Sequence, residues 1–309
     1  MLAFAADIYL YFRVMPISLA MVATQFLDRP GLAQKTVKSY ELTLMLLLKE
    51  YGSWPIEICD RTLLTEYLDS LSHLAYTTHH RHQATIQALF NYAVEQQHIK
   101  VNPIAKLKRR KPDADKGEHG SDEAIRYLTQ NQLRLMYRAV ETDCRTHTIV
   151  RLLHRSGARI SELLALDLDG VNLEQQKFQV LGKGNKQRWC FYSDDAAQLL
   201  NTYLKHYRHY RCPALFTAQQ PIAGNISRLS YRTVHQNWRR LIADVPELEG
   251  ARLHDLRHTF ATERVGLMGI EELRALMGHE SILTTLRYQK VTSARAETVA
   301  QSALKRLAN

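Results

Sequence analysis

Between His254 and Tyr288 the sequence reads HDLRHTFATERVGLMGIEELRALMGHESILTTLRY, and its chemistry-bearing side chains are cations and one phenol. His254 and Arg257 stand three apart, a spacing that puts both on one face of a helix. Gly278-His279 follows, and Tyr288 comes nine residues after that histidine, flanked by Arg287 and Lys290. Cations converging on one hydroxyl are what phosphoryl transfer needs. The charge of a phosphodiester sits on its non-bridging oxygens, and forked guanidinium donors match that geometry better than a point charge does. A phenol is a poor nucleophile at its free pKa of about 10. It becomes a useful one when a neighbour accepts its proton and the phosphate is polarised. The expectation is that Tyr288 attacks a DNA phosphodiester.

Further cations stand upstream at turns. In Ser156-Gly-Ala-Arg-Ile-Ser-Glu-Leu-Leu-Ala-Leu, Gly157 permits a turn that a side chain would block, and Ser161 or Glu162 can satisfy open amides of the helix that follows. Arg159 sits at that turn and projects from a rigid corner. Gly182-Lys183-Gly184-Asn185 places Lys183 at a hairpin tip. This turn lacks the spacing and the Ser/Thr of a nucleotide-binding loop, so ATP binding is rejected. The run His79-His80-Arg81-His82 is no metal site, because adjacent residues point in different directions on a helix; it reads as a solvated or phosphate-facing helix start. Residues 106–116 hold six Lys/Arg against two Asp without apolar periodicity. Lys108, Arg109 and Arg110 there read as a basic strap on a phosphate backbone, where each neutralised phosphate releases counterions.

These groups need elements to hold them. Val37, Tyr40, Leu44 and Leu47 recur at helical spacing, with Thr36 placed to cap and Gly52 to stop. Leu63 to Leu74 gives a second helix and Thr78 to Gln97 a third, ending before Asn102-Pro103. Thr129 caps a helix carrying Leu133, Met136 and Tyr137. Phe178–Leu181 and Gln187–Tyr192 form a hairpin, and Asp194–Arg211 an amphipathic helix. Ser230 caps another, with Tyr231, Val234, Trp238 and Leu241 inward and Arg232, Arg239 and Arg240 outward, where they can line a DNA groove. A helical tail runs from about 292 to 307. The organisation expected is an extension over 1–20, a helical domain over 21–105, a basic linker over 106–125 and a second domain over 126–309.

Composition agrees. A chain of 309 residues is long enough for two cores. Its 41 Lys+Arg against 31 Asp+Glu give a net charge of +10 and a pI near 9.4, which favours a polyanionic partner. Cys59, Cys144, Cys190 and Cys212 form no CxxC pair, so neither a zinc site nor a disulfide framework is indicated and a reducing cytosol fits. Asp7 and Arg13 interrupt the apolar start before the roughly 18–20 residues a membrane span needs, and a signal peptide would want a basic start. Met15 or Met21 could serve as an alternative start.

Taken together, Arg159 in SGARISELLAL, Lys183 in GKGNKQR, His254 and Arg257 in HDLRHTFAT, His279 in LMGHE and Tyr288 resemble the tyrosine recombinase (phage integrase) family, nearest to its compact Xer-type members. The likeness is strong over about 129–290 and looser over 22–105. It implies a mainly α fold with a small β-sheet, in which a helical core-binding domain and an α+β catalytic domain clamp DNA. It implies that Arg159 and Arg257 grip the scissile phosphate, with His279 as a further donor. Tyr288 would form a 3′-phosphotyrosine, Lys183 would protonate the leaving 5′-oxygen, and His254 would accept or share the phenol's proton. His258, Glu162 and Gly278 read as structural, and Thr284 and Thr285 as helix-start residues positioning Tyr288. No metal or ATP is implied, since Arg, Lys and His supply the positive charge. The partners implied are double-stranded DNA with a specific target site and three further protomers, alike or different, in a tetramer on two duplexes joined through the tail. Arg81 and Arg239 join Lys108, Arg109 and Arg110 as DNA-contact candidates. A cytoplasmic, nucleoid-associated recombinase is expected; alternatives are a type IB topoisomerase-like enzyme and a non-catalytic DNA-binding protein.

Overall fold

The computed structural model describes residues 16–113, 115–118, 125–182, 186–219, 224–289 and 304. The chain divides into two compact units, Met1–Glu123 and Ala124–Asn309. The extension before residue 16, the tail helix expected beyond 290 and Lys183 lie outside the described residues.

The first unit is helical: α1 (Leu19–Asp28), α2 (Gln34–Tyr51), α3 (Arg61–Ser70) and α4 (Tyr76–Glu95). Ser18 caps α1 by accepting from the Met21 amide, and Asp60 caps α3 by accepting from Leu63. Apolar residues at three- and four-residue spacing meet in one core of Leu19, Phe26, Leu44, Leu47, Leu64 and Phe90. Leu19 is fully buried, so this core reaches back into the stretch expected to be extension.

Three local expectations are corrected. α2 begins at Gln34 after Ala33, which leaves Thr36 in the first turn and not at the cap. α3 stops at Ser70, short of Leu74, and α4 begins at Tyr76. His79 and His82 are core residues, each 5% exposed, and His79 Nε2 lies 2.9 Å from the Leu68 carbonyl. Their spacing of three put both on the apolar face.

The second unit is built on α6 (Cys144–Ser156), whose Ile149, Val150, Leu152 and Leu153 are buried. Packed on it are α5 (Gln130–Val140), α8 (Asp194–His206), α9 (Tyr231–Ile242) and α10 (Leu253–Arg264). Thr129 caps α5 in a reciprocal box with Gln132. Short α7 (Ile160–Ala165) follows α6. A three-stranded antiparallel sheet, β1 (Val171–Asn172), β2 (Lys177–Leu181) and β3 (Gln187–Phe191), comes next, with Val180 opposite Arg188. A β4–β5 ribbon (Thr217–Gln219, Ile226–Arg228) precedes α9, and α11 (Ile270–Met277) and α12 (Ile282–Leu286) close the described chain.

Ser230 caps α9 as expected, but Tyr231 is 53% exposed because the first turn overhangs the core that Val234 and Trp238 enter. α8 ends at His206, five residues before Arg211, and leaves Tyr207 exposed. A smaller cluster of Phe260, Ala261, Leu273, Met277 and Tyr288 carries the phenol. No helix among the described residues is long and apolar enough to cross a membrane.

Candidate active site

Two glycine turns frame the site. Gly157 ends α6 at φ 64°, and a Cβ there would lie 2.4 Å from the Phe260 ring. Only glycine meets both demands, a left-handed backbone and a close aromatic neighbour. The chain leaves this turn with Arg159 at the N-terminus of α7. Glu162 one turn on accepts from the Arg159 amide (2.8 Å) and from Arg159 Nη1 (2.8 Å). The second turn is Gly278, at φ 61° after α11, with Arg188 Cδ and Nη1 3.0 Å from where a Cβ would sit.

Arg257, one turn into α10 and 2% exposed, joins the two turns. Its Nη1 donates to the Gly157 carbonyl at 2.6 Å and its Nη2 to the Met277 carbonyl. The N-terminus of α10 is held by buried Asp255, which accepts from the Arg252 amide at 2.9 Å.

Arg188 supplies a third guanidinium from β3. It donates to both Glu162 oxygens (2.9 and 2.6 Å) and, through Nε, to the Leu276 carbonyl (3.0 Å). Glu162 is therefore gripped by two arginines. Burial works to raise its pKa, but the Arg188 hydrogen bonds, the Arg159 amide and the Arg159 guanidinium overcome this and hold the carboxyl at about 2.

Two guanidiniums thus hold one carboxylate, and a third, Arg257, stands near enough to feel all three charges. Burial, then the repulsion of Arg159 and Arg188, lowers Arg257 to about 10. Burial and the same cations push His279 down to about 4. A cluster with this excess of positive charge is stabilised by an anion, and a phosphate diester has the matching two oxygens.

Tyr288 lies beside this cluster, 2% exposed. Burial raises its pKa, while Arg257, Arg287 and Arg159 act to lower it. His279 lies parallel to its ring (3°, centroids 6.2 Å apart), with Nδ1 2.9 Å from Thr285 Oγ1. The phenol oxygen is 2.9 Å from His258 Nδ1. His254, one turn earlier on α10, is exposed and packs edge-to-face on His258 at 4.6 Å.

Of the residues singled out from sequence, Arg159, Arg257, His279 and Tyr288 converge, and His254 borders them through His258. Lys183 is not described, though the strands leading to its turn pair through Leu181 and Gln187. Thr285 is fully buried inside α12, where it positions His279 as well as preceding Tyr288. Sequence reasoning gave His258 a packing role, and it touches the phenol. It passed over Arg188. The available signal was strand alternation: Arg188 shares a face with Cys190 and Tyr192, so an arginine was pointing inward.

The DNA-contact candidates divide. Arg81, Lys108, Arg109 and Arg239 are exposed. Arg110 is not an open strap residue. Its guanidinium forms a bidentate pair with Glu118 (2.6 and 2.7 Å) and donates to the Leu74 carbonyl at 2.9 Å.

Residues 126–295 match the model of the phage integrase family. The tyrosine recombinase XerC of Lactobacillus delbrueckii subsp. bulgaricus is 26% identical over 274 residues, covering 84% of this chain and 88% of that one. The fold is similar to that of the Tn1549 transposon integrase solved with circular intermediate DNA: TM-score 0.71, 19% identity, 92% of this chain and 99% of that one. It is also similar to the lambda integrase solved as a tetramer on a Holliday junction: TM-score 0.65, 16% identity, 86% of this chain and 78% of that one. The family model spans more than half of the chain, including both glycine turns, the guanidinium cluster and the phenol, and the chain belongs to the phage integrase family.

Proposed function

We propose that this protein is a site-specific DNA recombinase that cleaves and rejoins DNA through a 3′-phosphotyrosine, with Tyr288 as the nucleophile. The observation that carries this reading is a buried phenol beside three guanidiniums, two of them sharing a single carboxylate and the third, Arg257, fixed by backbone carbonyls. Arg159 and Arg257 hold the non-bridging oxygens of the scissile phosphate, and His279 donates to the same group. Charge that develops on the pentacoordinate phosphorus meets preorganised donors, which is where such a site gains most. Lys183 protonates the leaving 5′-oxygen. A phosphodiester is exchanged for a phosphotyrosine and then restored, so the reaction is reversible and needs no ATP.

A tetramer on two duplexes, alike or mixed and joined through the tail, is the assembly proposed; the Holliday-junction tetramer of lambda integrase supports it by analogy of fold. Lys108, Arg109, Arg81 and Arg239 contact the DNA backbone, and the protein works in the cytoplasm on the nucleoid.

The test uses a pool of nicked duplexes with randomised sequence. The nick lets a short strand escape after cleavage and traps the covalent adduct. The wild-type chain should capture a subset of the pool in a form that survives denaturant. Tyr288→Phe should bind the same duplexes and capture none. Capture by Tyr288→Phe would remove the nucleophile from this account.

A further inference from the structure

The geometry points to His258 as the base that takes the Tyr288 proton, which the family resemblance has His254 accept or share, with the choice of histidine open. The inference rests on Tyr288 being the nucleophile and names a residue for the step that activates it.

Three imidazoles stand near the phenol, and they differ in what their nitrogens touch. His279 commits Nδ1 to Thr285 Oγ1, and its ring lies parallel to the Tyr288 ring with centroids 6.2 Å apart. His254 is exposed and meets the side of the His258 ring at 87°. His258 alone among the three has a nitrogen at hydrogen-bonding distance, 2.9 Å, from the phenol oxygen among the described contacts. That distance is within the range a general base requires.

The surroundings keep this ring uncharged. Burial, then His254, Arg252, Arg257 and Arg287, lowers the His258 pKa to about 3, so the ring is neutral near pH 7. A neutral ring carries one N–H, and the proposed role uses the tautomer that holds it on Nε2, in which Nδ1 accepts from the phenol O–H. Arg257, one of the cations that suppress a charged imidazole, is offset when a phosphodiester binds to it. The diester's negative charge raises the basicity of His258 at the stage when a proton has to be accepted.

In the step, Tyr288 Oη forms a bond to phosphorus while its proton passes to His258 Nδ1. The bond from phosphorus to the 5′-oxygen breaks, and that oxygen takes its proton from Lys183. His258 becomes an imidazolium bearing protons on both nitrogens. On rejoining, the 5′-hydroxyl attacks phosphorus and gives its proton back to Lys183, Tyr288 leaves, and the proton returns from His258 to the phenolate.

The experiment takes one nicked duplex captured by the wild-type chain in the randomised pool and measures single-turnover adduct formation. His258→Ala should slow it by about a hundredfold or more, the usual range for loss of a positioned base, while non-covalent binding of the duplex is kept. Added imidazole should restore part of the rate, and a series of substituted imidazoles should restore it in order of their basicity. His258→Asn, which can hold the hydroxyl but cannot take its proton, should remain slow. Wild-type rates in His258→Asn would make the contact one of position only and overturn the inference. So would cleavage by His258→Ala at or above the wild-type rate, the sign of a contact that merely parks the phenol, or a slow His258→Ala that no imidazole rescues. Adduct formation by Tyr288→Phe would overturn the reading beneath it, a result distinct from any of these.

Discussion

Replacing Arg188 with methionine removes the guanidinium that grips both Glu162 oxygens while keeping a long apolar stem against the Gly278 turn. The two side chains are 11% and 6% exposed, so the pair is buried. Breaking such a pair costs about 3–5 kcal/mol, because the remaining charge is left in a poor solvent. Arg159 stays on Glu162, which places the loss at the lower end, about 3 kcal/mol. The carboxyl points to the same order: Arg188 and Arg159 together, against burial, hold its pKa at about 2 from 4.5, and each unit is worth about 1.4 kcal/mol. For a unit of this size the melting temperature should drop by roughly 6–12 °C at pH 7. The pH dependence has a definite sign. Glu162 is held below its unfolded value, so its contribution is present above about pH 4.5 and fades as pH falls towards 2. The gap between wild type and Arg188→Met should close over that window. Calorimetry on both proteins from pH 7 to pH 3 measures it. A variant that melts within about 2 °C of wild type at pH 7, less than a single kcal/mol would produce, would refute the keystone role of Arg188.

Gly278→Ala should lower stability by about 1–2 kcal/mol for its left-handed backbone and should also slow adduct formation, since the new Cβ meets Arg188 at 3.0 Å; a melt and a capture assay read the two effects. Lys108→Gln with Arg109→Gln should weaken binding to all duplexes alike and flatten the salt dependence by about one unit per lost phosphate contact, measured by fluorescence anisotropy across salt. Arg110→Gln should leave that slope unchanged and instead lower the melting temperature of the helical unit, because its partners are Glu118 and the Leu74 carbonyl. Neutralising Arg239 should reduce the salt slope without altering the melt, as its side chain is exposed on α9.

The chemistry was more legible than the boundaries. Arg159, Arg257 and His279 could be found because glycine turns and helix spacing announce where their side chains must go. Gly157 and Gly278 both adopt positive φ, the conformation that marks such corners. The first-unit helices were legible as apolar repeats, yet their ends moved, because caps such as Ala33 carry no side-chain signal and the chain relied on packing there. His79 and His82 were misjudged for a related reason: a polar side chain on an apolar face is read by type before it is read by position. Arg110 looked like free charge because its partner, Glu118, lies eight residues away across a turn. His258 is the most instructive case. Its neighbour Arg257 shares the helix turn, but the contact that gives His258 meaning comes from thirty residues downstream. No local pattern encodes a meeting at that distance.

The central claim is that one phenol becomes bonded to DNA phosphorus, and peptide mapping of the trapped adduct tests it most directly. Wild-type chain captured on a nicked duplex would be digested with protease and nuclease, and the modified peptide sequenced by mass spectrometry. The account predicts a single nucleotide joined through its 3′-phosphate to Tyr288. Attachment at another tyrosine, or through a 5′-phosphate, would contradict it.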